Sequence, residues 1–208
     1  RRVRAALGDR FVGLFSGVLP HSPVHTLDEA MLLAEDIKPD VLVSAGGGST
    51  HDTTKGIATL LGEGGSIHDH QVIFEPPDKI THPKLSKKRV PIIAIPTTMG
   101  GAELSRGGGG FTDKGLGRKI LLSGSGNGHR VVVIDGEAIA TTPTEIQLGT
   151  AIGQLRIAIE TVYSTSHNPI GDALALHSIR MLMELLPRCL DKDPGVWLET
   201  KTAALLPM

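Results

Sequence analysis

The chain has 208 residues, 40% hydrophobic and 21% charged, with a formal net charge of −1, a globular composition sufficient for one large domain or one and a half. Near-neutral charge and 3% aromatic content exclude the basic stripe and stacking rings of a nucleic-acid binder, and no apolar run is long enough to span a membrane. The single cysteine, Cys189, excludes an intrachain disulfide; with an N-terminus lacking the apolar core of a signal peptide, it points to a reducing, cytoplasmic setting.

Residues 1–8 read as the tail of an amphipathic helix closed by Gly8. Arg1 falls inside that helix with no initiating Met before it, so the chain reads as a piece of a longer protein. Phe11, Val12, Leu14 and Phe15 form a short strand-like run, followed by a Pro-His-Ser-Pro loop. Thr26 or Asp28 caps a helix to Ile37 that presents Leu27, Ala30, Met31 and Ala34 on one face. Residues 41–45 are a short apolar run, the length of one buried strand.

That strand enters Gly46-Gly47-Gly48-Ser49-Thr50, where the Ser-Thr pair can cap a helix over about 52–62. Strand, glycine turn and helix start together make an anion site. Glycine lets the backbone approach closely, and free N–H groups at the positive helix end point at a phosphate. The pattern is neither G-x-G-x-x-G nor G-x-x-x-x-G-K-[ST], and an ordinary tight turn is the competing reading.

Residues 63–89 are polar and proline-rich, a long surface loop with one helical turn at most. Val90–Pro96 is a second buried strand ending in Thr97-Thr98. Strand, helix, strand in this order indicate a parallel, doubly wound sheet, whose ligands sit beyond the C-terminal strand ends, where the glycine turn and Thr97-Thr98 both lie. Lys119–Leu122 and Arg130–Ile134 flank the glycine-rich Ser123–Gly128, the pattern of a hairpin or of edge strands. Helices follow from Glu145 to Ser164, with Ile152, Leu155, Ile159 and Val162 at helical spacing, and from Pro169 to Leu190 with Asn168 as N-cap. The expected organisation is an α/β dinucleotide-binding domain over 1–142 and the start of an all-α domain over 143–208.

Gly-Gly-Gly-Ser-x-x-Asp-x-x-Lys, Ile-Pro-Thr-Thr, the Pro-led helix and Asn-Pro-Ile-x-Asp-Ala-Leu-Ala together resemble the iron-containing alcohol dehydrogenase superfamily. Pro96-Thr97-Thr98-Met99-Gly100-Gly101-Ala102-Glu103-Leu104-Ser105 is most similar to its maleylacetate reductase branch. The resemblance spans about Phe11 to Pro187. It implies a dehydroquinate synthase-like architecture, here lacking its first strand and most of its helical domain, with the active site in the cleft between domains. Weak or no turnover is then the expectation for this chain by itself.

By this resemblance Gly47, Gly48 and Ser49 hold the pyrophosphate of NAD or NADP, with Asp52 on the helix that opens there. Thr97 and Thr98 line the cofactor cleft with Ser105 nearby, and Lys119 lies near the nicotinamide ribose. Each has a plainer alternative: Thr97-Thr98 as a cap, Lys119 as a solvated strand lysine, Asp52 as a first-turn charge.

Metal-dependent members carry an Asp and a His four residues apart on the first helix of the second domain. Those positions are Gly153 and Ile157 here, neither able to bind a metal, so no metal is expected. Arg156 is the cationic candidate on this helix for clamping a substrate carboxylate, and Lys119 and Arg156 are the candidates for catalysis. The His68-x-His70 cluster with Asp69 reads as surface chance, and His177 as a packed or exposed helical residue.

The reading is an NAD(P)-dependent oxidoreductase moving hydride to or from a small carbonyl, alcohol or enone substrate. The alternative is a catalytically inactive nucleotide-binding remnant. A small-molecule substrate is the expected partner, nucleic acid and membrane are not, and a homodimer is allowed.

Overall fold

The structure is a computed structural model that describes residues 2–105, 108–124, 126 and 128–208. Arg1, and Ser125 and Asn127 of the expected glycine-rich connection, lie outside the described residues. Three parallel strands form the central sheet: β1 (Leu42–Gly46), β4 (Ile92–Pro96) and β7 (Val131–Val132), in spatial order β1-β4-β7. β1 and β4 pair from Leu42 opposite Ile92 to Gly46 opposite Pro96, so both strands end together at the glycine turn. Two antiparallel hairpins lie apart from the sheet: β2 (Ile73–Glu75) with β3 (Lys79–Thr81), and β5 (Gly109–Asp113) with β6 (Arg118–Leu122).

The helices are α1 (Arg2–Leu7), α2 (Val24–Ile37), α3 (Gly48–Glu63), α4 (Gly136–Ala140), α5 (Thr144–Tyr163), α6 (Pro169–Arg188) and α7 (Pro194–Leu205). α2 buries Leu27, Ala30, Met31 and Ala34, the face its spacing predicts. These residues pack with Ile57 and Leu60 of α3 and with Phe111, Ile120 and Leu122 of the β5–β6 hairpin in one apolar cluster. A second cluster gathers Met99 from the loop after β4, Ile139 of α4 and the inner faces of α5, α6 and α7 around Trp197. Asn168 caps α6 by accepting from the Gly171 N–H at 2.9 Å, with Pro169 in the first turn as expected.

Several elements differ from the sequence reading, beginning with residues 63–89, read as a loop, which carry the β2–β3 hairpin. Residues 11–18 form no strand, and Val12 and Leu14 are 62% and 70% exposed: the apolar run has no ladder partner, and apolarity alone does not make a strand. α2 starts at Val24 behind Pro23, with neither Thr26 nor Asp28 as its cap. α3 begins at Gly48, inside the glycine run, with Gly47 as N-cap and no side-chain cap, so Ser49 and Thr50 belong to its first turn. β6 and β7 do not pair with each other as a hairpin: the partner of β6 is β5, while β7 is an edge strand of the parallel sheet beside β4, the other reading of that pattern.

The last difference is on α5. Its buried residues are Gln147, Ala151, Gln154 and Ala158, whereas Ile152 and Ile159 of the expected inner stripe are 58% and 46% exposed. The inner face meets backbone amides and carbonyls of the loop after β4, and buried polar groups must be answered by polar side chains.

Candidate functional site

The site is built where β1 and β4 end. Thr97 N–H donates to the Gly46 carbonyl at 2.9 Å, which ties the exit from β4 to the glycine turn. A Cβ on Gly47 would stand 3.0 Å from Thr98 Cγ2, and one on Gly46 would stand 2.4 Å from Thr50 Oγ1. The turn is therefore glycine because a threonine methyl closes over it and the next helix folds back against it. α3 opens with no side-chain cap and no acidic residue in its first turn. Its leading N–H groups point out of the helix, where its positive end favours an anion.

The loop 20–23 stands beside this turn. His21 and Ser22 both hold left-handed backbone conformations, φ 66° and 47°, uncommon for residues with a Cβ. Several bonds fasten them: His21 N–H donates to Ser49 Oγ at 2.9 Å, Ser22 Oγ donates to the Ser49 carbonyl at 3.0 Å, Thr112 N–H donates to the Ser22 carbonyl at 3.0 Å, and Thr112 Oγ1 donates to the His21 carbonyl at 2.9 Å. Among the described residues nothing accepts the Ser49 hydroxyl hydrogen, while its oxygen accepts from His21.

Behind the turn lies a set of buried and half-buried ionisable side chains. Lys55 is fully buried and donates to the carbonyls of Ala102, Ser105 and Gly108 at 2.6, 3.0 and 2.8 Å. Burial lowers its pKa, against the favourable charges of Asp52 and Glu103. Asp52 accepts from the Gly110 N–H at 3.1 Å, and burial raises its pKa. Both residues brace the loop after β4 and the start of β5. His51 is 1% exposed, with Nδ1 2.5 Å from Ser44 Oγ and its ring 5.3 Å edge-on to that of His129. Burial, and then the charges of its neighbours, hold its pKa down at about 3. His129 donates to the Glu103 carbonyl at 2.8 Å, and its pKa is lowered to about 4, mainly by burial.

The expected site residues divide. Gly47, Gly48, Ser49, Thr97 and Thr98 come together at the two strand ends. Ser105 lies at the far side of the same loop, its carbonyl on Lys55 and its hydroxyl 3.3 Å from the Gly108 N–H it accepts from. Lys119 is exposed on β6, opposite Thr112. Arg156 pairs with Glu160 one helical turn on, on an exposed face of α5, so its charge is already answered within the helix. Gly153 and Ile157 lie on the same helix, and nothing stands within 4 Å of where a Cβ on Gly153 would project. In the loop after α3, His68 pairs with Asp113 at 2.6 Å and His70 bonds to the Gly64 carbonyl at 2.8 Å, so the two rings serve different partners. An apolar cavity of about 340 Å³ lies between α2, residues 11–18 and β1, and none of the expected site residues lines it.

The sequence reading missed His51, His129, Glu103, Lys201 and the buried glutamines of α5. The available signal was weak: for the helical residues, a polar residue at an inward position, which reads equally as a surface residue; for Glu103 and His129, in loops, there was none.

The family described as iron-containing alcohol dehydrogenase matches residues 1–136. Alcohol dehydrogenase 4 of Schizosaccharomyces pombe is 31% identical over 192 residues, which cover 91% of this chain and 43% of that protein. The maleylacetate reductase of Sphingobium indicum is 29% identical over 191 residues, 90% of this chain and 45% of its own length. A solved sulfoacetaldehyde reductase from Bifidobacterium kashiwanohense, in complex with NAD+, aligns with a TM-score of 0.81 at 26% identity, over 93% of this chain and 50% of that one. The chain spans about half the length of the relatives it matches, or somewhat less.

Proposed function

The chain belongs to the iron-containing alcohol dehydrogenase family, and from that premise we propose that its glycine turn binds the pyrophosphate of NAD or NADP. On this reading the chain carries the nucleotide half of an oxidoreductase that moves hydride to or from a small carbonyl, alcohol or enone substrate. The observation that carries it is the uncapped start of α3 at the shared end of β1 and β4, where Gly47 lies under Thr98. Relatives of this family include enzymes named as NAD-dependent and NADPH-dependent, which supports either nucleotide.

Bound NAD(P)H supplies the hydride; the residues of this chain bind and orient it. The amides of Gly47, Gly48 and Ser49 face the pyrophosphate, with the helix end stabilising its charge. The Ser49 hydroxyl, its oxygen already used by His21, donates its hydrogen to a phosphate oxygen. Thr98, held over Gly47, sets the floor on which the nucleotide lies, and Lys119 supplies positive charge from the exposed hairpin. Asp52 and Lys55 hold the loop after β4 and the start of β5 in place.

The residues present do not fit an iron ion at the positions the family resemblance assigns: the side chains of Gly153 and Ile157 offer no donor atom. No step is therefore routed through a metal. Nothing in the relatives favours a catalytically inactive remnant, and that reading is set aside.

The test is calorimetric titration of NADH and of NADPH into the purified chain and into Gly47→Val. Saturable binding of one or both to the unmodified chain, abolished in Gly47→Val, is expected, because the added side chain presses on Thr98 and fills the cradle. Absence of binding to the unmodified chain overturns the assignment.

A further inference from the structure

The loop after β4 is held from outside by the C-terminal helices, one side chain to one backbone group. Gln147 of α5 donates to the Thr97 carbonyl at 2.8 Å, and the Met99 N–H donates to Thr150 Oγ1 at 3.1 Å. The Gly101 N–H donates to the Gln154 amide oxygen at 3.1 Å, with the amide orientation assigned from its hydrogen bonds. Lys201 of α7 closes the series: its ammonium donates to the Gly100 carbonyl and pairs with the carboxylate of Glu103, both side chains at most 1% exposed. From the other side Lys55 takes the carbonyls of Ala102, Ser105 and Gly108.

A loop whose amides and carbonyls are answered in succession by buried side chains is specified in conformation, not merely packed. A buried ion pair is a poor source of stability because both charges lose their water. Its value lies in fixing one arrangement, since an alternative would leave a buried charge alone. Met99 sits at the centre of the loop with no exposure and belongs to the apolar cluster of α5 to α7. Thr98, which covers Gly47, is the residue next to it.

We propose that Lys201 is a positioning residue for the nucleotide: by holding Gly100 and Glu103 it sets Thr98 over the glycine turn, so the C-terminal helices govern cofactor affinity at a site built by the N-terminal strands. This rests on the nucleotide reading of the turn, and its test separates the two. NADH binding and hydrogen exchange at the Met99 and Gly101 amides are measured on the full chain, on Lys201→Met and on Lys201→Met/Glu103→Gln. The exchange measurement needs no ligand, and both amides bond to α5, not to Lys201, so they report the loop and not the lost contact.

In Lys201→Met the two amides lose protection while those of α2 keep theirs, and NADH affinity falls about tenfold through lost preorganisation. The double variant removes the pair as a unit and recovers the melting temperature, but not the affinity, because the Gly100 carbonyl still lacks its donor. A merely structural pair would recover both. Wild-type affinity and wild-type exchange in the double variant overturn the proposal. If the unmodified chain binds no NADH, the nucleotide reading falls, and unchanged exchange at Met99 and Gly101 in Lys201→Met then overturns the positioning role by itself.

Discussion

His51 makes the stability of this chain depend on pH in a direction that can be worked out. Folded, the ring is 1% exposed, its Nδ1 on Ser44 Oγ, with the cations Lys55 and Lys201 and the ring of His129 as electrostatic neighbours. Its pKa of about 3 compares with 6.5 for an unperturbed histidine. Between those values the unfolded chain binds a proton at this residue and the folded chain does not, so unfolding gains as pH falls. The contribution is fully present above pH 6.5 and is lost progressively on acidification toward the folded value. At pH 5 the loss from His51 is about 2 kcal/mol, since each pH unit across the gap is worth about 1.4 kcal/mol. His129, with its pKa lowered to about 4, adds in the same direction. For a chain of this size 2 kcal/mol corresponds to roughly 4–8 °C in melting temperature. Urea unfolding followed by circular dichroism at pH 7.5 and pH 5.0 measures the difference. His51→Asn keeps a polar partner for Ser44 and cannot take up a proton, so it shrinks the difference by about 2 kcal/mol. An equal pH dependence in the variant and the unmodified chain refutes the reasoning.

Other substitutions read other parts of the structure. Lys55→Met leaves three loop carbonyls without a donor and Asp52 without its neighbouring charge, and lowers unfolding free energy by about 3 kcal/mol in urea denaturation. Gly136→Ala places a Cβ 2.3 Å from the Pro194 carbonyl oxygen, where α4 meets the start of α7; the backbone must move apart, at a cost of about 3 kcal/mol, visible as a lowered thermal midpoint. Asn168→Ala removes the side-chain cap of α6 and costs about 1 kcal/mol in the same assay.

The parts of the fold legible in the sequence were those where one physical effect acted alone. β4 announced itself as an apolar run because it is the central strand of a parallel sheet, and β1 as a shorter one broken by Ser44 at the sheet edge. α2 showed its inner face as Leu27, Ala30, Met31 and Ala34, and Asn168-Pro169 marked the start of α6. Where two effects competed, the pattern misled. The glycines before Ser49 read as a turn, yet Gly48 is the first residue of α3, since the residues that follow supply the hydrogen bonds. β7 is two residues long, too short for its own sequence to choose between a hairpin and the parallel sheet.

For the site, the outward parts were legible and the supporting parts were not. Gly47, Ser49 and Thr98 belong to motifs that the ends of β1 and β4 bring together. Lys55, Lys201, Glu103 and His51, with the half-buried His129, are residue types that normally face water, and only the folded arrangement shows their burial and pairing. α5 carries the same lesson: its isoleucines mark an apolar stripe, while Gln147, Thr150 and Gln154 turn inward to answer backbone groups of the loop after β4, beside the Ala151 that packs in the apolar cluster.

The central claim is that a nicotinamide nucleotide sits on the glycine turn. Two-dimensional amide NMR of the isotope-labelled chain during titration with NADH locates the ligand directly. The account predicts that the largest shift changes fall on the amides of Gly47, Gly48, Ser49 and Thr98. Changes centred on the apolar cavity beside β1, or none at any of the four amides, contradict it.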